Sequence, residues 1–125
     1  MWDKKIYVAS SMQKKEGQWS MFIGRWQPLH YGHKKMFEQI LSEGGKVLIA
    51  IRDMESDENN PFSVKEVYEN ISKEYSNNPD VKVIIIPDIN SVNFGRGVGY
   101  DIIEYIPPAE IAKISATKIR KNLDV

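Results

Sequence analysis

Three short apolar runs constrain this chain more than any other feature. "SMFIG" (Ser20–Gly24), "KVLIAI" (Lys46–Ile51) and "VKVIII" (Val81–Ile86) are nearly continuous in apolar residues. A strand with one wet face alternates polar and apolar residues, whereas a strand buried on both faces reads as an unbroken apolar run. Helical patterns lie between the runs. In "YGHKKMFEQILSEGG", Met36, Phe37, Ile40 and Leu41 share one helical face and Gly44–Gly45 stop the helix. In "FSVKEVYENISKEYS", Ser63 and Glu66 form a capping box, and Val64, Val67, Tyr68, Ile71 and Tyr75 make an apolar stripe. "YDIIEYI" reads as a fourth strand, "PPAEIAKI" as a turn of helix, and "SATKIRKNL" as a last helix with Ser115 near its N-cap. Such alternation predicts an α/β fold: a Rossmann-like, doubly wound, mostly parallel sheet covered on both faces. Right-handed crossovers then gather the strand C-terminal ends on one edge, with the Gly24–His33 and Ile86–Gly99 segments on it. The N-terminal "KIYVAS" is an edge-strand candidate, and a hairpin through "MQKKEG" into "QWSMFIG" would make it antiparallel.

The chain of 125 residues fits one domain, 1–125, with residues 1–17 as an N-terminal extension or edge strand. It has no cysteine, which excludes disulfides and thiolate metal sites and points to a reducing, cytoplasmic setting. No apolar run approaches a membrane span, and "MWDKKIYVAS" lacks a signal-peptide apolar segment. Basic and acidic residues balance at 17 each, against the cationic excess of a nucleic-acid binder. A small phosphorylated ligand held by a few local charges remains compatible with that balance.

The two histidines of the chain, His30 and His33, both fall in "GRWQPLHYGH", between the first strand and the first helix. A helix N-terminus presents free amide groups and a partial positive charge, so it favours phosphate. Imidazoles at i and i+3 can share one side of the first turn, and Gly32 between them admits a close ligand. Three readings compete: ordinary loop and helix residues, metal ligands, or phosphate-binding catalytic groups. The metal reading is thin, since no cysteine or obvious carboxylate stands nearby.

"GRWQPLHYGH" resembles the signature G-R-[FWM]-Q-P-x-H-x-G-H of the HxGH nucleotidyltransferases, in particular the nicotinamide-mononucleotide adenylyltransferases. It is more distantly similar to the G-T-F-D-x-x-H-x-G-H form of glycerol-phosphate and choline-phosphate cytidylyltransferases and of pantetheine-phosphate adenylyltransferase. "ISATKIR" (Ile114–Arg120) resembles the family's C-terminal I-S-x-T-x-I-R. "NNPFS" resembles its D/N-P-F-[ST] segment, although a capped helix start explains those residues equally well. The resemblance extends unevenly from about Ser20 to Leu123.

The resemblance implies transfer of a nucleoside monophosphate from ATP or CTP to a phosphate on a small acceptor. Pyrophosphate is released and no covalent enzyme intermediate forms. It implies that His30, His33, Arg25 and Arg120 act on the phosphates, and that Gly24, Gln27, Gly32, Ser115 and Thr117 belong to the nucleotide site. Mg²⁺ is expected with the nucleotide, bridging phosphate oxygens through mostly water ligands. Relatives in the family are often dimers, so a homodimer is among the expectations. The G-R-x-Q-P form and "NNPFS" favour adenylyl transfer, while the compact length favours the small cytidylyltransferases. A nucleotide-binding module without catalysis is the third reading.

The chain departs from the pattern on the acceptor side. Relatives place a further strand and helix after the third strand; here only "PDINSVNFGRGVG" separates it from "YDIIEYI". In that shortened acceptor region, Arg96 sits among three glycines and is a candidate acceptor-phosphate ligand. Arg52, just after the second strand, is another. Trp26 either stacks on a base or acceptor ring or packs inside. Lys34 and Lys35 either lean toward phosphate or stay solvated.

Overall fold

A computed structural model describes residues 3–8, 18–97, 99 and 101–106. Seven elements follow in order: β1 (Asp3–Val8), β2 (Trp19–Gly24), α1 (Tyr31–Ser42), β3 (Lys46–Asp53), α2 (Val64–Glu74), β4 (Val81–Pro87) and β5 (Asp101–Ile106). All three apolar runs become strands of one parallel sheet, ordered β2-β3-β4. Register pairs Phe22 with Ile49 and Ile49 with Val83, and pairs Gly24 with Ile51. The central strand is the driest, with Val47, Ile49, Ala50 and Ile51 buried. The result is a Rossmann-like α/β unit.

Each helix begins and ends where its sequence dictates. Ser63 caps α2, its hydroxyl accepting from the Glu66 N–H, and the Glu66 side chain answers on the Ser63 N–H. After α1, Gly45 has no room for a side chain: a Cβ there would meet the Ile40 side chain at 2.7 Å. Phe37 and Ile40 of α1 join Val67 and Ile71 of α2 against Val47, Ile49 and Ile51 in one buried cluster. Phe22 meets Phe37 edge to face at 5.0 Å. Burying an aliphatic side chain of this kind contributes about 1.5–3 kcal/mol. Tyr68 lies at the margin of the α2 stripe and is 38% exposed, so it falls outside the core that its spacing predicts.

Two features of the described residues add to the sequence reading, and the expected last helix, "SATKIRKNL", lies outside them. Both described helices lie on the same face of the sheet. The strand order advances in one direction, so two right-handed crossovers return to the same side. On the opposite face Met21 is 52% exposed. Second, β5 does not extend the parallel sheet. It pairs antiparallel with β1 in a two-stranded sheet, Asp3 opposite Ile106 and Val8 opposite Asp101. The N-terminal strand therefore pairs with β5 and not, through a hairpin, with β2. A free β1 offers β5 an antiparallel ladder, which is slightly more stable per residue than a parallel one.

The consequence for function lies at the C-terminal ends of β2, β3 and β4. Parallel alignment gathers there the Gly24–His30 loop, the segment from Met54 to Ser63, and the segment beginning at Asp88. Strands sit about 4.8 Å apart, so the first and third loops leave the sheet about 10 Å from each other.

Candidate active site

The loop after β2 is built from the inside out. Trp26 holds a backbone φ of 53°, in the left-handed region that residues with a Cβ seldom adopt. Its indole is buried, 7% exposed, and Nε1–H donates to the Ala50 carbonyl on β3 at 3.1 Å. Gly24 makes the turn feasible: a Cβ there would stand 3.0 Å from the Trp26 ring. Gln27 is also buried. Its amide forms a two-way clamp with Phe62, Nε2 donating to the Phe62 carbonyl at 2.8 Å and Oε1 accepting from the Phe62 N–H at 3.0 Å. The Gln27–Pro28 peptide bond is cis. The loop is thus tied to β3 by Trp26 and to the start of α2 by Gln27.

On this base stand the histidines. His30 is the N-cap of α1, and its Nδ1 accepts from the Gly32 N–H at 3.1 Å. The His33 Nδ1 accepts from the His30 N–H at 3.2 Å. The two form a capping box in which both side chains are imidazoles. Their rings stack at 3.6 Å, 22° from parallel. Trp26 meets the His33 ring edge to face at 4.9 Å, so the indole braces the pair from behind.

This geometry determines the protonation state. An Nδ1 that accepts from a backbone N–H carries no proton, so the neutral ring has its proton on Nε2. Burial lowers the His30 pKa. Burial and the neighbouring His30 push His33 down to about 3. At neutral pH the pair is therefore two uncharged Nε2–H donors on the first turn of a helix. Charged imidazoliums would lose both caps and repel each other at stacking distance. Gly32 is buried between them.

The remaining candidates are placed as follows. Arg25 turns toward the segment after β3: its Nη2 lies 3.4 Å from the Glu55 carbonyl and 3.7 Å from the Asp57 carboxylate. Arg52, within β3, donates to Asp88 at 2.7 Å and to the Ile89 carbonyl at 3.2 Å, fastening the root of the loop after β4. Arg96 is exposed in that loop, between Gly95, where an added Cβ would meet open space, and Gly97 at φ 78°. Lys34 pairs with Glu74 at 2.9 Å, and Lys35 with Glu38 at 3.6 Å. Ser115, Thr117 and Arg120 lie outside the described residues. Among the described residues no group of three or more His, Cys, Asp or Glu could hold a metal ion. No described helix is long and apolar enough to cross a membrane.

Four partners escape sequence reasoning: Phe62 for Gln27, Glu55 and Asp57 for Arg25, and Asp88 for Arg52. Each is 30 or more residues from its mate. "NNPFS" carries the one usable signal, since its Phe62 receives the Gln27 clamp.

The fold is a Rossmann-like α/β unit with paired histidines at the first helix N-terminus, an arrangement suited to an anion. Comparison with known proteins agrees. Residues 21–84 match the family described as cytidylyltransferase-like. The chain is 33% identical over 99 residues to a nicotinamide-nucleotide adenylyltransferase of Caldivirga maquilingensis. That match covers 74% of this chain and 53% of the relative, so the chain spans about half the relative's length. The protein belongs to the cytidylyltransferase-like family of nucleotidyltransferases.

Proposed function

We propose that this protein transfers a nucleoside monophosphate, AMP in preference to CMP, from a nucleoside triphosphate to a phosphate-bearing small molecule. The observation that carries this reading is the stacked, self-capping His30–His33 pair on the first turn of α1. Two neutral donors beside a helix N-terminus suit a polyanion, and they stabilise charge that grows as pyrophosphate departs. An acceptor phosphate oxygen attacks the α-phosphorus in line. The new O–P bond forms as the bond to the bridging oxygen breaks, and pyrophosphate leaves with that electron pair. No proton transfer to a side chain is needed, which matches histidines held neutral. Catalysis then rests on positioning and charge neutralisation.

Arg25 reaches the phosphates from the turn after β2. Ser115, Thr117 and Arg120 hold the distal phosphates in this reading, and Gly32 leaves room for the nucleotide. Mg²⁺ enters with the triphosphate as part of the substrate. Arg96 binds the acceptor phosphate, and Arg52 sets the root of its loop. Trp26 and Gln27 act by positioning the histidine turn, given their burial and their bonds to Ala50 and Phe62.

Support for adenylyl transfer comes from the G-R-x-Q-P form and from the name of the relative in Caldivirga maquilingensis. One observation favours a second reading, a nucleotide-binding module without turnover: residues 88–100 alone separate β4 from β5, where the resemblance implies a further strand and helix. Pyrophosphate release separates the two. ATP, CTP and GTP are each offered with nicotinamide mononucleotide and with simpler phosphate monoesters. Release with ATP and one acceptor supports the leading reading. Tight nucleotide binding with no release from any pair supports the second.

A further inference from the structure

We propose that Asp57 is an internal competitor for Arg25: its carboxylate holds the guanidinium until a nucleotide phosphate displaces it. This inference rests on the reading of Arg25 as a phosphate ligand.

The geometry is that of a mounted anion. β2 and β3 are neighbours in register, Gly24 beside Ile51, so Arg25 and the segment after β3 leave adjacent strand ends. The two oxygens of Asp57 do different things. Oδ1 faces its own loop and accepts from the Asn59 N–H at 2.9 Å, the Asn60 N–H at 2.7 Å and the Asn60 side-chain amide at 3.1 Å. Backbone bonds between Asp57 and Asn60, at 3.0 and 3.2 Å, close the loop beneath it. Oδ2 is left to face Arg25 at 3.7 Å, beside the Glu55 carbonyl at 3.4 Å. The mount is itself anchored, because Phe62, two residues past Asn60, is clamped by Gln27 and Ser63 caps α2.

An arginine facing one carboxylate oxygen and one carbonyl is already solvated by acceptors of the kind that a phosphate supplies. Arg25 must exchange these for phosphate oxygens, so its pair with Asp57 opposes nucleotide binding. Asp57 is half exposed, which makes the opposing pair weak: solvent screens an exposed pair, and its loss changes affinity by about 2- to 5-fold at most. A pair of that strength is readily exchanged, as a gate on a substrate site requires. Asp57 is accordingly a positioning residue that acts through Arg25.

The test is calorimetric titration of the full chain with MgATP and, separately, MgCTP. Asp57→Asn keeps an oxygen for the Asn59 and Asn60 donors and removes the charge. The expected result is a Kd about 2- to 5-fold lower than wild type at low salt, with the difference shrinking at about 0.5 M salt. In an Arg25→Ala background the same substitution has no effect on Kd. Where turnover is measured, KM for the nucleotide falls and kcat stays unchanged. Asp57→Ser, with a thermal unfolding scan of each variant, guards against a folding defect. Wild-type binding with equal or weaker binding in Asp57→Asn and Asp57→Ser overturns the competitor role and leaves the proposed function standing. Failure of wild type to bind either nucleotide overturns both.

Discussion

The imidazole rings of His30 and His33 stack at 3.6 Å, and each Nδ1 accepts a backbone N–H of the same helical turn. One pair of side chains thus does two jobs. It starts the helix cleanly, and it leaves two Nε2–H donors at the edge where three parallel strands open. The jobs can be separated by substitution.

His30→Asn retains a short oxygen acceptor for the cap and loses the ring. Asparagine is among the best N-cap residues, so stability should change by less than about 0.5 kcal/mol. His30→Ala loses the cap and should cost about 1 kcal/mol in a urea unfolding curve. Nucleotide turnover should fall in both variants to a similar degree. Full turnover in His30→Asn would show that the ring serves only as a cap.

Gln27→Ala should destabilise by about 2 kcal/mol. It strips two bonds from Phe62 and leaves a part-buried N–H and C=O without partners. Because Gln27 is spent on Phe62, any loss of nucleotide affinity should track the loss of stability. Unchanged stability with lost nucleotide binding would instead make Gln27 a direct ligand.

Gly24→Ala should also destabilise, by about 1–3 kcal/mol. The new methyl group would press on the Trp26 ring at 3.0 Å, and that ring braces His33. Trp26→Phe should cost about 1 kcal/mol by removing the indole N–H bond to the Ala50 carbonyl. In both variants the near-ultraviolet circular dichroism of the Trp26 environment should change. An unaltered spectrum and melting curve would contradict the bracing role.

Much of this fold is legible in the sequence, and the exceptions share a cause. β2, β3 and β4 announce themselves by unbroken apolar runs, and α2 by its capping box, because these signals are local. The position of the histidines at a helix entrance is local too. The partner of β5 is not, because an apolar run says that a strand is buried and not which strand it pairs with. Gln27 and Arg25 show the same limit at the site. Their types suit nucleotide binding, yet their described partners, Phe62 and Asp57, are more than 30 residues away and are brought close only by sheet register. For Trp26 the residue type suits stacking or packing alike, and the structure shows it buried with its indole N–H on the Ala50 carbonyl.

Stability should fall with acid in a defined window. The His33 pKa is lowered from 6.5 to about 3 in the fold, and that of His30 is lowered as well. The unfolded chain therefore takes up protons below about pH 6.5 that the folded chain refuses. These two groups leave stability undiminished above pH 6.5 and erode it progressively as the pH drops toward 3. Chemical denaturation at a series of pH values checks this, with His33→Gln losing its share of the slope. A slope unaffected by that substitution would place the acid sensitivity elsewhere.

The most direct test is nitrogen NMR of the histidine side chains, with and without MgATP or MgCTP. Both rings should show an unprotonated Nδ1 and a protonated Nε2 at neutral pH, and His33 should keep that state in mildly acidic buffer. Nucleotide should shift the Nε2–H signals of both rings together. Rings protonated on Nδ1 at neutral pH, or Nε2–H signals indifferent to a saturating nucleotide, would contradict the account of His30 and His33 as neutral phosphate donors.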